Sequence, residues 1–132
     1  MLDIDSMSAA VKERPVNKLK VNPEREGDRL ARLRADLGWS RNQLARVMNA
    51  SDRAIVNWES GDPISPVYAA KLREVESLYS ELKQLMKPRE IGPWLLTEMD
   101  EFENRSPADL ISRGETGRVW ASLFYLRSGM PD

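Results

Sequence analysis

Residues 40–61 read SRNQLARVMNASDRAIVNWESG, and the order of caps, apolar positions and turn residues in this stretch predicts two short helices crossing tightly about a bend. Ser40 stands where an N-cap belongs, and Gln43 three residues later can reach back to it, as in a capping box. Leu44, Ala45 and Met48 then share one face, with Ala45 small where a second helix must approach the backbone. Asn49 marks the turn, because Asn is the commonest substitute for Gly in the left-handed conformation such a bend needs. Ser51 can cap the next helix. On that helix Ile55 and Trp58 point inward together, which leaves Arg53, Val56, Asn57 and Ser60 facing out at 100° per residue. Gly61 supplies the stop, and Pro63 follows it. The stretch reads as a helix-turn-helix.

Across residues 28–66 the chain resembles the Xre/Cro-type helix-turn-helix of phage repressors, carried here by Arg41, Ile55, Trp58 and the run Glu59-Ser60-Gly61. The resemblance implies binding to operator DNA. Arg41 would hold a phosphate or base at the edge of the groove, Asp52, Arg53 and Asn57 would face base edges, and Ser60 would contact a backbone phosphate. It also implies a structural ion pair between Arg34 and Glu59. Two positions depart from the family pattern: Asn49 replaces the usual turn Gly, and Asp52 brings a carboxylate that phosphate repels unless it accepts from a cytosine amino group. The plain alternative is a pair of helices in a small all-α domain with no DNA role.

Composition narrows the remaining classes. At 132 residues the chain can hold one ordinary domain or two very small ones. It has no Cys and no His, which removes disulfides, thiol nucleophiles, most zinc sites and the commonest general base together. An enzyme would have to work with Ser, Lys and carboxylates, and nothing clusters them, so neither catalytic residues nor a cofactor or metal is expected. No run approaches the length of a membrane span, and the start shows no signal-peptide pattern, which predicts a cytoplasmic protein with no membrane partner. The net charge of −1 is unevenly spread: residues 1–73 carry 13 Lys and Arg against 10 Asp and Glu, and residues 74–132 carry 7 against 11. A mildly basic first part suits a phosphate backbone, and an acidic second part suits a basic protein partner.

Residues 1–25 mix charge with Pro15 and Pro23 and read as a flexible arm, with a possible short strand at VNKLKV and basic side chains that could trail along DNA. The helix-turn-helix domain occupies 26–64. Its first helix is expected from Asp28 to Leu37 with Leu30, Leu33 and Leu37 inside, and Gly38 ends it. A connecting helix is expected over 65–87, opened by Ser65-Pro66. Its stripe of Tyr68, Leu72, Val75, Tyr79, Leu82 and Met86 steps by 4, 3, 4, 3 and 4, a seam that could pair two chains as a homodimer or pack within one.

Residues 88–132 form a second module. Pro93-Trp94-Leu95-Leu96 is expected to open a short helix, Ser106-Pro107 starts another closed by Gly114, and a last helix runs from Thr116 to Ser128 with Val119, Trp120, Leu123, Phe124 and Leu126 along it. Trp120 and Phe124 read as core. So small a module should lean on the long helix or on a partner.

Trp94-Leu95, Phe102, the SPADLI segment of residues 106–111, Gly114, Val119, Leu123 and Ser128-Gly129 resemble the C-terminal toxin-binding domain of the Xre/ParS/MbcA group of antitoxins. Asn104-Arg105 departs, since the family often has a Gly near the Ser-Pro. The resemblance implies a non-catalytic antitoxin of an all-α fold that binds a RES-domain, NAD-consuming toxin, covers its active-site entrance and represses the operon encoding both. The residues that reach the toxin would be Tyr125, Arg127, Ser128, Gly129, Met130 and Asp132. A transcriptional regulator whose second module only dimerises or senses a ligand is the alternative.

Overall fold

The computed structural model describes residues 25–129. Over these residues the chain is all-helical: α1 Glu26–Leu37, α2 Arg41–Met48, α3 Asp52–Glu59, α4 Pro66–Leu82, α5 Pro88–Leu95, α6 Pro107–Ser112 and α7 Thr116–Arg127, with a single 3-10 turn at Asp100–Phe102. No described helix is long and apolar enough to cross a membrane. The expected N-terminal arm, with its strand and basic residues, lies outside the described residues apart from Arg25.

The local signals of the central stretch are all present. Ser40 accepts from the Gln43 N–H at 3.1 Å while Gln43 accepts from the Ser40 N–H at 2.9 Å, so two orphan donors at the start of α2 are satisfied reciprocally. Asn49 is left-handed at φ 58°, ψ 46°, and Ser51 caps α3 by accepting from Ala54 at 3.0 Å. Leu30, Leu44, Met48 and Ile55 are fully buried between α1, α2 and α3, each side chain contributing on the order of 1.5–3 kcal/mol by leaving water. Trp58 packs its ring against Tyr68 at 4.9 Å, and the Tyr68 hydroxyl reaches the Asn49 carbonyl at 3.5 Å. The start of α4 is thereby seated on the turn.

The connecting helix is shorter than the 65–87 expectation and ends at Leu82. At Gln84 and Leu85 the hydrogen bonds tighten to the i−3 carbonyl, Gln84 to Glu81 at 3.1 Å and Leu85 to Leu82 at 2.9 Å, and Lys87 is extended at φ −69°, ψ 143°. Pro88 disfavours helix at the residue before it, so the chain must leave α4 there. Of the stripe read as a pairing seam, Leu72, Val75 and Leu82 are fully buried and Tyr68, Tyr79 and Met86 are half-buried against the core of the single chain, so the seam packs within its own chain.

Residues 93–96 do not open α5 but close it. Pro88 takes the first helical position, where its missing N–H is no loss, and the Glu90 side chain accepts from the Lys87 N–H at 3.2 Å. Pro93 then removes only one bond from a helix of two turns.

The second module leans chiefly on the first three helices, with α5 against α1 and α6 against α2, and less on α4. The α1–α5 approach depends on Gly92, where an added Cβ would lie 1.9 Å from the Leu37 carbonyl oxygen. Beside it the buried Trp39 donates from Nε1 to the Gly92 carbonyl at 3.3 Å, which gives Trp39 its role in the packing. Lys71 of α4 donates to the Ser112 carbonyl at 3.4 Å and holds the end of α6. Buried residues from Leu30 to Leu123 consequently form one core. In the loop before α6, Glu103 and Asn104 are left-handed at φ 55° and 62°, which is the conformation for which the family's Gly would be suited.

Candidate functional sites

Two exposed surfaces gather the residues singled out in the sequence. The first is the outward face of α2 and α3. Glu59, at the end of α3, has a side chain only 8% exposed and receives two guanidinium groups. Arg34 from α1 donates from Nε at 2.7 Å and Nη2 at 3.1 Å, a bidentate pair, and Arg41 from the first turn of α2 donates from Nε at 3.0 Å. Burial alone would raise the Glu59 carboxyl, but the hydrogen bonds from Arg34 and Arg41 outweigh it and hold the group below its ordinary value. The hydrogen bond from Glu59 in turn raises Arg34. Arg34 also reaches the Trp39 carbonyl at 3.3 Å. The same carboxylate thus ties α1 and α3 together and fixes the direction in which Arg41 leaves the surface.

Asp52, Arg53 and Asn57 on α3 and Ser60 just beyond its end are all exposed. Asp52 accepts from the Asn42 amide at 3.4 Å, so one of its oxygens is directed back toward α2. The Ser60 hydroxyl donates to the Val56 carbonyl at 2.8 Å, which commits its proton to its own helix and leaves it an acceptor outward. Arg53 and Asn57 project from the face together. Val56 stands with them at 40% exposure.

The second surface is the end of α7. Val119 and Leu123 are buried, and α7 is fastened at its start by Arg118, which pairs with Glu103 at 3.0 Å. Beyond Leu123 the side chains turn outward. Phe124 is 66% exposed, Tyr125 55% and Leu126 53%. The reading of Phe124 and Leu126 as part of the packed stripe is therefore corrected, while Trp120 is half-buried against the core. The signal was present in the sequence: three consecutive apolar positions sweep 200° of a helix, and no single core can meet all three. Gly117, Trp120, Ala121 and Phe124 line a groove of about 400 Å3 together with Glu81 and Arg127. Arg127 is exposed and its Nη1 lies 2.8 Å from the buried Glu81 Oε2, an ion pair without hydrogen-bond alignment. Ser128 and Gly129 are exposed, with Ser128 Oγ donating to the Phe124 carbonyl at 2.9 Å. Met130 and Asp132 lie outside the described residues. Among the described residues no group of carboxylates is arranged to hold a metal ion.

No family model matches the chain. The mycobacterial cidal antitoxin MbcA of Mycobacterium bovis is 27% identical over 96 residues, 71% of this chain and 84% of the relative, and the MbcA of Mycobacterium tuberculosis gives the same figures. A probable mycobacterial cidal antitoxin of Mycobacterium tuberculosis is 30% identical over 76 residues, 58% of this chain and 65% of its own length. Among solved structures, a chain of the Mycobacterium tuberculosis MbcT–MbcA toxin–antitoxin complex superposes with a TM-score of 0.66 at 22% identity, covering 80% of this chain and 96% of that one. The chain is similar in sequence to antitoxins of the MbcA type and shares its helical fold with a component of a toxin–antitoxin complex.

Proposed function

We propose that this chain is the antitoxin of a toxin–antitoxin pair, in which the end of α7 docks on a RES-domain toxin and covers the entrance to its NAD-consuming active site. The helix-turn-helix binds operator DNA and represses the operon encoding both proteins. The exposed apolar end of α7 carries the first half of this reading. Phe124, Tyr125 and Leu126 project in three directions from one helix end, a shape that fits into a concave partner better than against a flat one, and contiguous exposed apolar side chains mark a docking surface. Arg127, Ser128 and Gly129 continue that surface from Tyr125, Met130 and Asp132, outside the described residues, are assigned to the toxin contact with them, and the acidic second half of the chain favours a basic partner. The antitoxin is not itself catalytic; it inhibits by steric occlusion. Since the stripe on α4 is buried, a two-fold homodimer on DNA pairs through another surface.

Co-expression with the enzyme encoded beside this gene, purification through one partner and measurement of NAD consumption tests the reading. A stable complex with suppressed NAD consumption is expected. A free chain that leaves the activity untouched would instead favour a transcriptional regulator without a toxin. Within the complex, Phe124→Asp should weaken toxin binding by about 2 kcal/mol or more, as removal of an aromatic anchor does, while the isolated chain keeps its thermal stability because Phe124 adds little to the core. Calorimetric titration with the toxin reads that loss, and unchanged affinity would move the interface elsewhere.

For the DNA half, Arg53→Ala should weaken operator binding by about 1–3 kcal/mol, the worth of a bidentate base contact. Fluorescence anisotropy on the operator duplex measures it. Equal affinity would take Arg53 out of the reading face.

A further inference from the structure

The exposed row of α3 contains one apolar side chain. At 100° per residue Val56 lies between Asp52 and Ser60 and beside Arg53, all of them exposed. Val56 is not among the side chains packed on the core, whose contacts on this helix are made by Ala54, Ile55 and Trp58. Nor does local structure call for it: Val is among the weaker helix formers, and Ala or Lys would suit a solvated position in an eight-residue helix better. Its two polar neighbours are already engaged, Asp52 with the Asn42 amide at 3.4 Å and Ser60 with the Val56 carbonyl at 2.8 Å. The branched side chain is 40% exposed within a polar surface that also presents Arg53 and Asn57.

On the floor of the major groove the apolar feature is the C5-methyl group of thymine. Resting on the DNA-binding reading above, we infer that Val56 recognises a thymine methyl, so that the operator half-site carries a thymine next to the bases met by Arg53 and Asn57. Arg53 and Asn57 supply the hydrogen-bonding part of the readout, guanine and adenine being their usual partners. Val56 supplies an apolar part that needs no polar group from the base. The contact is exclusive of the other three bases, because only thymine places a methyl group at that edge.

The test uses the full chain and duplexes selected on it from a random pool. Each thymine of the selected site is replaced singly by uracil, which removes the methyl group and leaves every hydrogen bond in place. At one thymine per half-site the replacement should weaken binding about three- to fourfold, the value of one buried carbon group. Val56→Ala, which keeps only its Cβ, should bind the thymine duplex less well and show a smaller further loss with uracil. Because Val56 is exposed, the alanine variant should fold, and its melting curve verifies this. Val56→Thr, which keeps one methyl group, should retain part of the discrimination. If the site is bound tightly and uracil is tolerated at every thymine, or is penalised equally in Val56→Ala, the inference is overturned while DNA binding stands. If no duplex is selected at all, the DNA-binding reading fails before the uracil series begins, and the inference falls with it.

Discussion

Gly92→Ala should cost the protein about 3 kcal/mol or more and lower its melting temperature by roughly 10 °C or more. The methyl group would stand 1.9 Å from the Leu37 carbonyl oxygen and 2.9 Å from its carbon. Both are backbone atoms at the end of α1, and neither can rotate aside as a side-chain tip could. Helix α5 would have to move away from α1 by more than an ångström, and the Trp39 Nε1 to Gly92 carbonyl bond of 3.3 Å would be lost with it. A buried indole N–H left without its acceptor adds about 1–3 kcal/mol to the cost. The matched control is Gly117→Ala on α7. Nothing lies within 4 Å of its added Cβ, and replacing Gly by Ala in a helix stabilises by about 0.5–1 kcal/mol. Urea or thermal denaturation of the two variants therefore gives shifts of opposite sign. If Gly92→Ala melts with the wild-type protein, the close approach of α1 and α5 is wrong.

This joint matters for function because it removes any hinge between the two surfaces. The second module is not suspended on a linker behind the first three helices. It shares one core with it from Leu30 to Leu123, through α5 on α1 and α6 on α2. A toxin held at the end of α7 would therefore be carried in a fixed direction relative to the face of α3. Loosening the joint at Gly92 should weaken operator and toxin binding together, whereas Arg53→Ala and Phe124→Asp each affect one.

What was legible in the sequence follows from where the determining contacts lie. Ser40 with Gln43, Asn49, and Ser51 with Ala54 act within three or four residues, so the positions and ends of α2 and α3 could be read directly. The Ser106 cap of α6 is equally local, accepting from Asp109 at 3.1 Å. Stripes were a weaker guide. Leu72, Val75 and Leu82 announce burial but not the surface that buries them, and the heptad spacing suited a dimer as well as it suits their own chain. Pro93-Trp94 looked like a helix start, although Pro88 with Glu90 at the third position was the stronger signal. Gly27 and Gly92 were invisible for a different reason. Each is required by a carbonyl from a distant part of the chain, that of Trp58 at 2.0 Å and that of Leu37 at 1.9 Å from the missing Cβ, and no local rule reveals such an approach. Asn42, which steadies Asp52, was missed on the same ground.

Glu59→Ala is the substitution expected to disturb both stability and the outward face of α2 and α3 proposed to read DNA, at about 2–3 kcal/mol of folding free energy. Breaking a buried ion pair by removing one partner costs about 3–5 kcal/mol, reduced here because the Arg34 side chain retains 24% exposure and Arg41 52%. Chemical denaturation gives the size of the effect, and its dependence on pH gives the cause. The Glu59 carboxyl is held below its ordinary value in the folded protein, so its contribution is fully present above the carboxyl value of the unfolded chain, about 4.3, and is lost as pH falls through the lower folded value. Glu59→Gln keeps the shape and one acceptor but has no proton to gain. The stability difference between wild type and Glu59→Gln should accordingly be largest near pH 7 and shrink below about pH 4. A difference that stays constant with pH would mean that the ion pair contributes nothing through charge. Arg41 adds a second readout, because without Glu59 its guanidinium loses the acceptor at 3.0 Å that aims it. Operator affinity should then fall in Glu59→Gln at pH 7 even where the protein remains folded. Arg34→Lys, which leaves Glu59 to direct Arg41 but gives up the bidentate fork, should reduce stability with a smaller effect on DNA.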